Sequence, residues 1–383
     1  QLAQDKDLFK NNTKYKNKVV VATNVAESSL TIDGIKYVID SGLEFKNYYD
    51  PKTKADRLDK STITKAQVKQ RKGRSGRTKP GICYHLYTEE EYNNMKEYPE
   101  PDIRISDISS ECLKLLSLDM IKNTDDLIGT LTKLIEPPKE IYIRDGITKL
   151  KRLNLLKDHQ LSDLGRLVSK LSSLLPEEAI SILLSMQLKC SHEVVQILAM
   201  SAACKDNIDE LFITPNSIIK NNPDAESMKI KLEKKFLKIK KSFYSQYGDH
   251  LSLLNIYTRF REVYKKDNDK KTNEWCYKYF LRKNVLLNAA KYKKRIRRSS
   301  IYRINRDELD IISKIFNEYI ESYSNSEPKI RALVCLSVGF KINIVNTKGF
   351  KYKIPKSSFM SYKSKQPKQI VYKKLFISMN REE

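Results

Sequence analysis

No apolar run in this chain approaches the roughly 18 residues that a membrane-spanning helix requires, and none of its six cysteines stands in a CxxC pair. The first absence argues against a membrane partner. The second, with only four histidines placed away from the cysteines, leaves no legible zinc site, and no metal ligand is assigned. Cys83, Cys112, Cys190, Cys204, Cys276 and Cys335 are spaced as reduced thiols of an intracellular protein, nuclear or cytoplasmic. A signal peptide and an initial methionine are also lacking, and the opening "QLAQDKDLFK" reads as a piece that starts inside a domain. Long polar tracts are missing too, so disorder is not expected.

What is present is positive charge. Lysine and arginine number 72 against 47 acids, a net charge of +25 in 383 residues, the electrostatic footprint of a polyanion binder. Hydrophobic residues make up 40%, enough to fill cores. The length exceeds what one core supports, since single cores stop growing near about 250–300 residues. Two to four domains are expected.

Three apolar runs near the start, "KVVVATNV" (18–25), "IKYVIDSG" (35–42) and "GICYHLY" (81–87), suit buried parallel strands of an α/β sheet. The polar stretch between the last two has a Pro turn and room for a surface hairpin. From Pro99 the pattern turns helical. "DISSECLKLLSLDMI" and "DLIGTLTKLI" follow Ser or Asp candidates for N-caps, "RDGITKLKRLNLL" is a short helix, and "LKDHQLSDLG" has the size of a small hairpin, an order that suggests a winged helix. Residues 176–290 have helical periodicity and read as a bundle. "IRALVCLSVGFKINIVN", "FKYKIPKSSF" and "KQIVYKKLFIS" near the end read as strands of a small barrel.

The eight residues "QRKGRSGR" from Gln70 to Arg77 hold three arginines and two glycines, although the whole chain has only 11 glycines. Arg71, Arg74 and Arg77, three apart, would lie along one helical face. The guanidinium fork fits phosphate oxygens, and glycine inside a helix costs about 1 kcal/mol relative to alanine, so Gly73 and Gly76 need a reason. A second stretch, "VATNVAESSLTIDGIKYVIDSG", sets Thr23, Ser28, Ser29, Thr31 and Asp33 just after a strand, where open α/β sheets bind ligands.

Together these two stretches resemble motifs V and VI of the DEAH-box RNA helicases of helicase superfamily 2. The resemblance continues through "YDP" (49–51), "GICYHLYTEEEY" (81–92), "EPP" (136–138), "LSDLGRLVSKL" (161–171), "GDHLSLLNIY" (248–257), "WCYKYFL" (275–281) and "CLSVGFKINI" (335–344), so it spans nearly the whole chain. It implies a multi-domain fold: the latter part of the second RecA-like domain, α/β, over 1–95; a winged helix over 96–165; a helical ratchet-like bundle over 166–292; and a β-rich OB-like barrel over 293–383.

The same resemblance implies roles. Gln70 would orient the attacking water, Arg74 and Arg77 would be arginine fingers, and Arg71 would be structural. Ser29 would sense the γ-phosphate, Thr31 and Asp33 would face the nucleotide sugar, and Thr23 and Asn24 an RNA phosphate. Where the family commonly has alanines within motif VI, this chain has Lys72 and Ser75, and its motif V reads Glu27-Ser28-Ser29. Neither departure removes a catalytic group. A GxxxxGK[ST] loop and a DEAH box occur nowhere in the 383 residues. ATP (or another NTP) and Mg2+ would therefore need an upstream RecA-like domain, and this chain alone would not hydrolyse ATP.

A third stretch, "KYKKRIRRSS" (291–300), has six basic residues among its first eight, beside Tyr292. Lys291, Tyr292, Lys293, Lys294, Arg295, Arg297 and Arg298 are candidates for following a single strand of RNA. His250, after Asp249, has no nucleophile in its segment and reads as structural. The expected activity is NTP-driven 3′-to-5′ movement on single-stranded RNA, or on a duplex with a single-stranded tail, by a monomer with a G-patch-like activator among its candidate partners. The alternatives are a non-catalytic RNA-binding scaffold, and a helicase for DNA or RNA–DNA hybrids. The Lys, Asn and Ile bias fits an A+T-rich genome, such as that of a protist or a large DNA virus.

Overall fold

The computed structural model describes residues 19–28, 32, 34–76, 80–215, 225–266, 269–346, 354–363 and 367–377. They fall into two units, one of residues 1–107, 134–142 and 375–383, the other of 108–133 and 143–374.

The first unit begins with α1 (Val25–Ser28), β1 (Tyr37–Asp40), β2 (Leu43–Asp50), β3 (Ala55–Thr62), α2 (Lys65–Lys72), β4 (Ile82–His85) and α3 (Glu89–Asn93). β1 and β4 pair in parallel, Tyr37 opposite Ile82 through Asp40 opposite His85. β2 and β3 form the expected hairpin, Leu43 opposite Thr62 and Asp50 opposite Ala55. Its turn is held by the Asp50 carboxylate, which accepts from the Lys52 amide at 3.0 Å and the Thr53 hydroxyl at 2.9 Å. Phe376–Ile377 adds in parallel to Asp56–Arg57. Thr64 starts α2 with a capping box. Its hydroxyl accepts from the Gln67 amide while Gln67 Oε1 accepts from the Thr64 amide at 2.9 Å, satisfying two donors that a helix start leaves open.

The run at 18–25 differs from its expectation. Its described residues form no strand before α1, and Val19 and Val21 are 85% and 95% exposed. A parallel strand exists through its ladder, and no ladder partner is assigned to Val19–Ala22 among the described residues. A second difference concerns the arginine motif. The helix ends at Lys72, so Gly73 and Gly76 lie beyond it. Gly73 is the C-cap, and the turn continues through Arg74 N–H to the Arg71 carbonyl (3.1 Å) and Ser75 N–H to the Lys72 carbonyl (3.2 Å).

In the second unit α4 (Ser109–Leu116), α5 (Thr124–Thr132) and α6 (Glu140–Arg152, within the unit from 143) precede a short hairpin of β5 (Leu156–Lys157) and β6 (Gln160–Leu161), then α7 (Asp163–Ser169). The caps are not those expected for the first two helices. Asn123 caps α5 through the amides of Asp125 and Asp126, and Ile108 precedes α4 without a side-chain cap. α8 (Pro176–Gln187), α9 (Ser191–Ala203), α10 (Ala225–Lys241), α11 (Asp249–Lys266), α12 (Asp269–Lys278) and α13 (Lys283–Ser299) follow. Phe212, Phe243, Tyr257, Phe260, Leu286 and Ala289 form part of their buried core.

The region after 293 is less β-rich than its sequence suggests. α13 runs through position 293, and α14 (Arg306–Ile315), α15 (Asn317–Tyr323) and α16 (Pro328–Gly339) come next. The apolar run "IRALVCLSVG" is helical because it is long for a strand and follows Pro328, which suits the first turn of the helix that carries it. Pro355–Tyr362 forms turns and a short 3-10 helix rather than a strand. β7 (Ile344–Asn346) and β8 (Gln369–Val371) pair antiparallel.

Two polar fastenings hold the end of this unit. Lys373 Nζ lies 2.9 Å from both Glu178 Oε1 and Asp206 Oδ1. Asp249 accepts from the Ser358 hydroxyl at 2.8 Å and the Phe359 amide at 2.7 Å, which supports a structural reading of the Asp249–His250 pair. Gly339 marks the close approach of α16 to α8. A Cβ there would stand 2.0 Å from Ser181 Oγ and 2.3 Å from the Glu177 carbonyl oxygen. Gly339→Ala should therefore cost about 1–3 kcal/mol, read as a lower thermal midpoint. An unchanged midpoint would refute this packing.

Candidate functional site

Asp40 ends the apolar run of β1 and its side chain is completely buried. A buried carboxylate is costly unless charged or hydrogen-bonding partners surround it, and here the chain supplies several. Arg71, in the last turn of α2, donates from Nη1 to Asp40 Oδ1 at 2.9 Å and from Nε to Glu27 Oε2 at 2.9 Å. A third bond runs from Arg71 Nη1 to the Leu43 carbonyl at 3.2 Å. The Gly42 amide donates to Asp40 Oδ1 at 3.0 Å and the Tyr87 hydroxyl to Oδ2 at 3.1 Å. Glycine is required at 42, since φ is +69° and a Cβ would lie 2.6 Å from the Tyr87 ring.

Electrostatics follow the geometry. Burial works against the Arg71 charge, but its hydrogen bonds to Asp40 and Glu27 outweigh it and hold the guanidinium above the usual arginine pKa. The Tyr87 phenol is pushed well up by burial first and then by the Asp40 charge and hydrogen bond. The Cys83 thiol is raised by burial and then by Asp40. His85 Nδ1 sits 2.7 Å from the Tyr87 hydroxyl and completes the cluster.

The segment at 23–28 is tied to the arginine motif at two points, because Arg74 also donates to the Glu27 backbone carbonyl. Gln70 is exposed on the last turn of α2, and Thr23 and Asn24 are exposed at the start of α1. Ser29, Thr31, Asp33 and Arg77 lie outside the described residues. Residues 291–298 occupy the last turns of α13. Lys291, Tyr292, Lys294, Arg295, Arg297 and Arg298 are exposed, while Lys293 is half-buried. The sequence reading missed Glu27, Asp40 and Tyr87. Only Asp40 left a signal, a carboxylate closing an apolar strand.

Residues 2–79 match the helicase conserved C-terminal domain, and residues 176–253 match the helicase associated domain (HA2), ratchet-like. A protein of Acanthamoeba polyphaga mimivirus, named as an ATP-dependent RNA helicase, is 33% identical over 292 residues, covering 76% of this chain. The chain belongs to the DEAH-box-like helicases and corresponds to their C-terminal portion. It spans 40% of the length of that viral relative. In this helicase chain the α/β unit carries the conserved C-terminal domain, and the ratchet-like family covers α8, α9, α10 and the start of α11. No described helix is long and apolar enough to cross a membrane.

Proposed function

We propose that this chain works as the C-terminal part of an ATP-dependent RNA helicase that couples NTP hydrolysis to 3′-to-5′ movement on single-stranded RNA, unwinding duplexes or remodelling ribonucleoprotein. The observation that carries the reading is the double attachment of the 23–28 segment to the arginine motif through Arg71 and Arg74. A segment that touches RNA through Thr23 and Asn24, and nucleotide through Ser29, Thr31 and Asp33, would then move with the arginines that face the phosphates. The name of the viral relative supports the choice of RNA and ATP.

In this mechanism Arg74 and Arg77 neutralise charge on the transferring phosphoryl group, which guanidinium does without exchanging a proton, and Gln70 orients the attacking water. Arg74 would exchange the Glu27 carbonyl for a phosphate oxygen when nucleotide arrives. The nucleotide and its Mg2+ would be held by the first RecA-like domain of the longer protein, since the 383 residues contain no GxxxxGK[ST] loop. We place a winged helix over the helix–helix–helix–hairpin series of 96–165 and an OB-like barrel around β7 and β8.

The test is ATP hydrolysis by the longer protein and by the 383-residue chain, with and without single-stranded RNA. Turnover stimulated by RNA in the former and none in the latter is the expected result. A longer protein that binds RNA without hydrolysing ATP would leave a scaffold, and stimulation by DNA alone would redirect the substrate. Duplexes tailed on one strand or the other test the direction.

A further inference from the structure

Cys190 and Cys335 stand 145 positions apart in the chain, yet their sulfurs are 3.7 Å apart and both residues are fully buried, each a free thiol. The backbone holds both in place. Cys190 joins α8 to α9. Its amide donates to the Ser185 carbonyl at 3.0 Å, and its carbonyl accepts from the Glu193 and Val194 amides at 3.1 and 3.2 Å. Cys335 lies within α16, four residues before Gly339 and on the same face of the helix. The lack of a Cβ at Gly339 lets α16 approach α8, and one turn away the same approach brings Cys335 to Cys190.

We propose that Cys190 and Cys335 are a paired oxidation site, closing to an intramolecular disulfide that ties the α8–α9 turn to α16. A disulfide needs its sulfurs at about 2.0 Å. The remaining approach of about 1.7 Å falls to rotation about the two Cα–Cβ bonds.

Burial decides when the bond forms. The Cys335 thiol is pushed up by its hydrogen bond with Cys190 and then by burial, and it is the thiolate that reacts. The packed pair is therefore slow toward reagents in solution, and the step belongs to a chain in which α16 has not yet docked or has lifted away. There one cysteine thiolate attacks a small disulfide such as oxidised glutathione, forming a mixed disulfide and releasing one reagent thiolate. The second cysteine thiolate attacks the protein sulfur of that bond and releases the other. Two protons pass from the protein thiols to the released thiolates, and the pair is oxidised by two electrons as the reagent is reduced by two. Docking of α16 then shields the bond from reductants. Fold and bond support each other, because a packing that brings the sulfurs together favours the bond, and the bond restricts the unfolded chain.

The test is equilibration of the 383-residue chain with mixtures of reduced and oxidised glutathione, in buffer and in concentrated urea, followed by trapping of free thiols and peptide mass mapping. It needs neither nucleotide nor RNA. The Cys190–Cys335 bond should form with an equilibrium constant at least about tenfold larger in buffer than in urea, and should raise the thermal midpoint by about 4 °C or more. Cys335→Ala, treated in the same way, should show no such rise. A rise that persists in this variant would assign the effect to glutathione itself and overturn the proposal. Equal or smaller formation in buffer than in urea would show that the packed geometry opposes the bond and would also overturn it, as would a bond joining other cysteines. This comparison uses the unsubstituted chain, so it decides even where Cys335→Ala fails to fold.

Discussion

Arg74→Ala in the longer protein is expected to lower RNA-stimulated ATP turnover by about 10³-fold or more, the scale associated with removing an arginine finger. The structure leaves Arg74 half-buried and attached to a backbone carbonyl of the 23–28 segment. That bond holds the guanidinium beside the segment that the proposed function sets against the nucleotide. Arg74→Lys keeps the charge but loses the planar fork, and should recover only part of the rate. The measurement is kcat at saturating ATP and RNA, beside the thermal midpoint. Turnover within tenfold of the unsubstituted protein, with the fold intact, would remove Arg74 from the chemistry and leave Arg77 as the remaining candidate.

Arg71→Met should have the largest effect on stability. It would leave the buried Asp40 carboxylate and the nearly buried Glu27 carboxylate without their shared cation. Removing one partner of a buried ion pair typically costs about 3–5 kcal/mol, because the remaining charge stays desolvated. Hydrogen exchange of the amides of β1 and β4 reads the change where it occurs. Exchange there should accelerate by roughly 10²-fold to a few times 10³-fold, following about 1.4 kcal/mol per tenfold. Adding Asp40→Asn should restore part of the protection by removing the stranded charge. Unchanged exchange in Arg71→Met would show that the cluster does not hold the sheet.

Several elements were legible because their determinants are local. The Pro51 turn and its flanking strands gave the β2–β3 hairpin, and apolar residues at helical spacing marked α8, α9 and α10. Other elements were misread where a short apolar run fits two structures. "IRALVCLSVG" satisfies strand and helix alike by composition, and its packing on α8 through Gly339 favours the helix. Val19–Ala22 has the composition of a central strand but lacks a described ladder partner, and strand formation depends on that partner.

The sequence by itself determined the family, through the paired stretches at 21–42 and 70–77, and it determined which residue types were available for phosphate chemistry. Tertiary structure alone decided how charges are partnered. Arg71 meets Asp40 and Glu27 from 31 and 44 positions away, whereas Lys293 feels the like charges of Arg261 and Lys265 from α11. Both begin as arginines or lysines near helix ends, and composition does not separate them. Coulomb energy depends on distance in space and on burial, and those quantities arise only when segments far apart in the chain pack together.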